Sequence, residues 1–70
     1  MSLFTNGDRV YVTMNDSGRQ GTVRERLRTP PPLAAEGSGP WYLVRWDAMP
    51  DKGHPVQDSH IDERNIARVR

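Results

Sequence analysis

The sequence predicts an all-β fold in which five short strands form a single small barrel. Two early segments, residues 8–13 and 21–28, alternate polar and apolar side chains, as strands with one buried face do. Residues 41–46 are the most strongly β-forming stretch, because aromatic and β-branched side chains dominate it. Glycine, proline, asparagine and aspartate separate these segments, which is typical of strands joined by turns.

The length of the chain limits the fold to one domain. Its 70 residues bury only about 60% of the surface that the unfolded chain exposes, so the core must be small. The sequence has no cysteine, and nothing indicates an oxidising compartment. No apolar run approaches the ~20 residues that cross a bilayer, and the start lacks the pattern of a signal peptide. We therefore expect a cytoplasmic domain with no membrane contact.

The charge of the chain is nearly balanced. Ten basic residues against nine acidic ones give a net charge of +1, which argues against a surface devoted entirely to nucleic acid. Nine of the ten basic residues are arginine, and only Lys52 is lysine. We favour a GC-rich genome as the cause, for example that of an actinobacterium or its phage. The alternative is selection for the planar guanidinium, which binds phosphate and carboxylate well.

The first strand is expected at residues 8–13, and the barrel at residues 7–70 after an N-terminal tail of residues 1–6. Gly7 precedes this strand, and a turn-forming run at residues 15–18 follows it.

Residues 21–28 predict the second strand, with one basic face. Alternation places Val23 and Leu27 on one face and three arginines on the other, namely Arg24, Arg26 and Arg28. A helix is the competing interpretation, but the preceding glycine and the triple proline that follows oppose it.

Residues 29–40 predict a long, flexible and exposed hairpin loop, because they contain four prolines and two glycines without apolar periodicity. Two interpretations of the loop remain open. It is either an insertion-tolerant spacer or, through residues 30–32, a polyproline II segment that a grooved partner would bind.

Residues 41–46 predict the central strand. Alternation places Tyr42, Val44 and Trp46 on the core face, and the opposite face then carries Trp41, Leu43 and Arg45. After it we expect a turn at residues 51–54, a short edge strand at 55–57, one helical turn at 62–65 and a closing strand at 66–69.

This order of elements is that of small SH3-like barrels. Two motifs resemble the KOW motif of bacterial transcription elongation factors and ribosomal proteins: Gly7-Asp8-x-Val10-x-Val12 and Gly18-x-x-Gly21-Thr22-Val23. Residues 61–69 are similar to the closing segment of such barrels, and residues 42–46 after a Gly-Pro turn also resemble a family of short actinobacterial barrel domains. The motif residues have structural roles: the glycines permit a positive φ, the valines fill the core, and Asp8 bonds backbone amides near the turn.

One group of residues is a candidate partner-binding surface. An aromatic among several arginines could bind phosphates and stack on a base, and tryptophan and arginine are also enriched at protein interfaces. Glu25, Glu36 and Asp47 lie near in sequence and could neutralise the face. The candidates are Arg24, Arg26, Arg28, Trp41, Leu43 and Arg45.

A second group carries ligand-like atoms but predicts no site. His54, Asp58, His60 and Asp62 could hold zinc or exchange protons. Such residues are more often solvated or turn-forming, and no cysteine, phosphate-binding loop or catalytic triad accompanies them. We expect no catalytic residue, metal or cofactor. The sequence thus predicts a non-enzymatic SH3-like module that binds another protein, in an accessory or regulatory role; the alternative is a KOW-like domain that binds RNA or DNA through its basic strand face.

Overall fold

The computed structural model describes residues 3–29 and 39–69. The prediction of an all-β fold is confirmed, since the elements are five strands and two single 3-10 turns, the turns at Pro50–Lys52 and Glu63–Asn65. Neither turn, nor any other segment of these residues, forms a helix long and apolar enough to cross a membrane. The strands are β1 (Arg9–Val12), β2 (Gln20–Arg26), β3 (Trp41–Trp46), β4 (Gln57–Asp62) and β5 (Ile66–Arg68).

The strands form one antiparallel sheet in the order β4-β3-β2-β1-β5. The predicted closure into a barrel is not present: β4 and β5 end the sheet on opposite sides, and the described residues show no pairing between them. β5 has only three residues, and they pair with β1. Ile61 of β4 and Ile66 of β5 are nevertheless both buried and belong to the same core cluster.

The predicted core face of β3 is confirmed. Tyr42 and Val44 are fully buried and Trp46 is 5% exposed. The polar ends of the two aromatic side chains have partners: the Tyr42 hydroxyl donates to Glu63 Oε2 at 2.6 Å, and Trp46 Nε1 donates to Ser59 Oγ at 2.6 Å. Both rings are therefore buried without an unpaired polar atom.

Phe4, which the sequence analysis placed in a tail, lies in the core. Its ring packs edge-on against Tyr42, with the centroids 5.6 Å apart, and the Arg68 guanidinium lies 5.7 Å from its centroid. The backbone of Leu3 is bound on both sides, since its amide donates to Glu63 (3.2 Å) and its carbonyl accepts from Arg68 (2.7 Å). The start of the described chain is thus part of the domain.

The turn glycines have the predicted roles, with one difference. Gly7 and Gly18 adopt φ values of 92° and 61°, and Asp8 accepts a hydrogen bond from the Thr5 amide at 2.9 Å. Gly21 has no positive φ; it is required because a Cβ atom there would lie 2.7 Å from the carbonyl oxygen of Arg45. Glycine allows β2 and β3 to approach closely at this point.

The second half of the chain differs from the prediction in two strands. The predicted central strand, β3, lies inside the sheet, but β2 is the strand at its centre. The predicted edge strand at residues 55–57 in fact begins at Gln57 and continues to Asp62, which caps the second 3-10 turn. The predicted turn at residues 51–54 is confirmed by the first 3-10 turn and by Gly53, whose φ is 71°. The predicted polyproline segment, residues 30–32, lies outside the described residues.

Candidate functional site

A β-bulge divides the predicted basic face of β2. Val23 lies opposite Val44 as alternation requires, but the register shifts after it, so that Glu25 lies opposite Leu43 and Arg26 opposite Tyr42. A bulge adds one residue to one strand and reverses the faces of the residues that follow. The predicted arrangement of Arg24, Arg26 and Arg28 on one face is therefore wrong.

Arg45, which we predicted to share a binding surface with these arginines, forms an ion pair with an acidic residue. Its guanidinium donates to both oxygens of Asp58 on the neighbouring strand, at 2.9 and 3.3 Å. These hydrogen bonds hold the pKa of Asp58 below its ordinary value, with a smaller contribution from the charge of Arg24. Arg45 therefore adds little net positive charge to the sheet surface.

The outer face carries a second bidentate pair. Arg9 donates through Nη1 to Thr22 Oγ1 at 2.8 Å and through both terminal nitrogens to the Asp47 carboxylate. The hydrogen bond from Arg9 is the main reason that the pKa of Asp47 is lowered. Asp47 thus pairs with Arg9 and forms no ion pair with the β2 arginines, which its position in the sequence would also have allowed it to neutralise.

The structure separates the six predicted residues into two places. Arg24 lies near Asp58, with Leu43 and Arg45 on the outer face, whereas Arg26, Arg28 and Trp41 line a cavity of about 160 Å³ at the end of the β2–β3 hairpin. Within residues 3–29 and 39–69, Arg24, Arg26 and Arg28 form no ion pair. They remain exposed cations, but they do not form one continuous face with Arg45.

The histidine and aspartate cluster is also dispersed. Asp58 is bound by Arg45, and Asp62 accepts from the Gly39 amide at 3.0 Å and from Arg64 Nη2 at 3.1 Å. In the part of the chain that the structure describes, no group of three His, Cys, Asp or Glu side chains is placed to hold a metal ion.

A larger groove, which the sequence analysis did not anticipate, lies on the open side of the sheet. It has a volume of about 460 Å³ and lies between the β1–β2 loop, residues 13–19, and the β3–β4 segment, residues 47–56. Its wall also includes β4. Six of its lining residues are apolar: Val12, Met14, Trp41, Trp46, Met49 and Ile61.

Arg19 holds the two loops that border the groove. Its Nε donates to the carbonyl of Asp47 at 3.2 Å, and its Nη2 donates to the carbonyl of Pro55 at 2.6 Å. Both acceptors lie in the β3–β4 segment, while Arg19 itself belongs to the β1–β2 loop. A planar guanidinium can make these two bonds at once, so Arg19 links the two loops that border the groove.

The groove runs along an unpaired edge of the sheet. Ser59, His60 and Ile61 are consecutive in β4, and all three line it. Because neighbouring side chains in a strand point to opposite faces, three in a row border one space only where that space follows the strand edge. β4 bonds to β3 on its other side, and among the described strands none pairs with the free edge.

The groove was missed because its residues come from separate parts of the sequence. One local signal was present: Met14 and Met49 are large apolar residues in segments that otherwise read as turns. Methionine in a loop is unusual unless it packs in the core or borders a binding surface, where its flexible side chain adapts to a partner.

Comparison with protein-family models, with curated proteins and with solved structures gives no match to this chain. The resemblance to KOW and SH3-like domains stays a prediction.

Proposed function

We propose that this chain is a non-enzymatic protein-interaction module of SH3-like architecture, and that its groove binds an extended segment of a partner protein. The observation that carries the proposal is the position of the apolar groove beside the free edge of β4. Extended peptides bind such edges by adding a strand, with backbone hydrogen bonds for affinity and side-chain pockets for specificity.

The order of elements supports the SH3-like part of the proposal. Four strands follow one another as neighbours, one 3-10 turn leads into the last strand, and that strand returns to pair with β1. An incompletely closed sheet of this kind encloses a small core and leaves its open side accessible to a ligand.

The lining of the groove supports peptide binding. Met14 is 62% exposed and Trp46 is 5% exposed, so the groove is lined by both an exposed and a buried apolar side chain. Five uncharged polar side chains border these surfaces and can bond to a peptide backbone: Asn15, Ser17, Gln57, Ser59 and Asn65. An apolar floor with a few polar groups around it is typical of ligand sites.

Selection from a random peptide library tests the proposal. Peptides of about twelve residues, selected on the immobilised domain, should bind the wild-type protein and lose about tenfold or more affinity for Met14→Glu. Leu3→Glu is the matched control, because Leu3 is equally exposed at 66% and does not line the groove. Circular dichroism checks that both variants fold. Selected peptides that bind Met14→Glu and the wild type equally would refute the groove as the site.

Nucleic-acid binding is the second candidate function. The exposed cations Arg24, Arg26 and Arg28, which have no ion pair among the described residues, favour it, together with Trp41 beside two of them. Three phosphate contacts predict a log-log salt dependence of binding with a slope of roughly −2 to −3. The measurement is binding of single-stranded RNA and duplex DNA to the wild type and to the triple Arg→Glu variant. Equal binding by the two proteins would exclude these arginines as the site.

A further inference from the structure

The ionisable residues that line the groove are all basic. They are Arg19, Lys52, His54 and His60. No aspartate or glutamate lines the groove within the described residues, although the chain has nine acidic residues against ten basic ones. The side chains that line this groove therefore carry positive charge only, from Arg19 and Lys52, in a chain whose net charge is +1.

Three of the acidic side chains are bound to arginines. Asp47 and Asp58 bind Arg9 and Arg45 on the outer face, and buried Asp62 binds Arg64. These pairs occupy three carboxylates, although the charge of Arg19 also helps to lower the pKa of Asp47. Asp16 and Asp51 are exposed in the two bordering loops and do not line the groove. Arg19, whose two bonds go to backbone carbonyls, has no carboxylate within ion-pair distance among the described residues.

We infer that the partner segment is an acidic peptide with a central apolar anchor, which binds as an additional strand along the free edge of β4. This inference rests on the proposed function and specifies its partner. Carboxylates on both sides of the anchor would face Arg19 and Lys52, and complementary charge raises both specificity and the rate of association. The anchor would contact Met14, Met49 and Trp46.

The lining favours a peptide over nucleic acid. Its two formal cations, Arg19 and Lys52, lie among apolar and polar side chains, whereas a surface for a phosphate backbone needs a continuous row of cations. The cations best suited to nucleic acid, Arg26 and Arg28, line the other cavity.

The test uses fluorescence anisotropy with a labelled peptide of about ten residues, which carries leucine at its centre and glutamate on both sides. A second peptide replaces each glutamate by glutamine, and a third carries N-methyl groups on alternate amides, which removes strand hydrogen bonds. We expect the acidic peptide to bind about tenfold more tightly than either.

Two charge reversals locate the contact. Lys52→Glu should weaken binding of the acidic peptide by about fivefold, because it reverses a charge at the groove. Arg24→Glu changes the net charge by the same amount on the outer face and should change the affinity by less than about twofold. Equal losses in the two variants would show attraction by overall charge and overturn the inference.

The remaining outcomes separate the inference from the proposed function. Equal binding of the glutamate and glutamine peptides, with loss in Met14→Glu, would overturn the acidic partner and leave the peptide module intact. Full binding by the N-methylated peptide would overturn strand addition. The last outcome is an RNA of about ten nucleotides that competes with the acidic peptide and binds more weakly to Lys52→Glu. That result would identify the groove as a nucleic-acid site. The proposed function fails as well if neither the glutamate nor the glutamine peptide binds and library selection yields no peptide whose binding depends on Met14.

Discussion

Asp62 accepts hydrogen bonds from both the backbone amide of Arg64, at 3.0 Å, and its guanidinium, at 3.1 Å. The Asp62 side chain is only 3% exposed, while that of Arg64 is 70% exposed. A third bond from the Gly39 amide joins the same carboxylate to the residue that leads towards β3. One buried charge thus caps the second 3-10 turn and fixes the end of the long loop.

This arrangement predicts a pH-dependent stability. The hydrogen bond from the Arg64 side chain is the main cause of the lowered pKa of Asp62. Hydrogen bonds from the backbone amides of Arg64 and Gly39 lower this pKa further. A carboxylate with a lowered pKa stabilises the folded state fully above the pKa of the unfolded chain, about 4, and that stabilisation is lost as the pH falls further. Urea unfolding should therefore show a loss of stability below about pH 4, in the same direction as the effects of Asp47 and Asp58.

Asp62→Asn measures how much this carboxylate contributes to the stability and to its pH dependence. The variant should be about 1–3 kcal/mol less stable than the wild type at pH 7, and it should lose less stability between pH 6 and pH 3. Asp51→Asn makes the same change of charge at an exposed position and is the control. An unchanged pH dependence in Asp62→Asn would contradict the assignment.

Phe4→Ala should destabilise the domain by about 3 kcal/mol, because it removes a buried ring and leaves a cavity against Tyr42. Leu3→Ala, at an exposed neighbour, should change the free energy of unfolding by less than about 0.5 kcal/mol. Urea denaturation of both variants checks the prediction. Equal stability of the two would show that residues 3–6 are a tail after all.

Gly21→Ala should destabilise the domain by about 1–3 kcal/mol through overpacking. The added Cβ would lie 2.7 Å from a backbone oxygen of Arg45 and 2.8 Å from the Val44 side chain, and neither the strand nor the buried valine can move freely. Gln20→Ala, on the same strand but exposed, is the control. Thermal unfolding of the two variants checks the prediction. A Gly21→Ala variant as stable as the wild type would mean that β2 and β3 can separate locally without loss of stability.

Arg19→Lys should widen or loosen the groove while it keeps the charge. Lysine cannot bond the carbonyls of Asp47 and Pro55 in the geometry of the planar guanidinium. We expect about fivefold weaker binding of library-selected peptides, with a loss of stability of about 1 kcal/mol or less. Arg28→Lys, away from the groove, should bind as the wild type does. Undiminished binding by Arg19→Lys would show that the two hydrogen bonds of Arg19 do not shape the groove.

Much of the fold could be predicted because its signals are local. The alternation in residues 41–46 identified the buried face of β3, and the turn glycines marked the ends of β1. The bulge after Val23 could not be predicted from the same pattern, since alternation continued past it in the sequence. Register is fixed by pairing with another strand, and a single inserted residue reverses it.

The candidate site was predictable to a smaller extent. Of the six predicted residues only Trp41 lines the groove, and the carboxylates that bind Arg9 and Arg45 lie 38 and 13 positions away in sequence. Composition indicated a near-neutral surface correctly, but it contained no information on which charges pair.

The sequence by itself determined five strands, one core face and the glycines at the turns, because side-chain periodicity and backbone sterics act over a few neighbouring residues. The tertiary structure alone decided that the sheet stays open, that Phe4 belongs to the core, and that Asp47 and Asp58 pair with Arg9 and Arg45. Those outcomes depend on distances between residues far apart in the chain, which exist only after the strands have packed together.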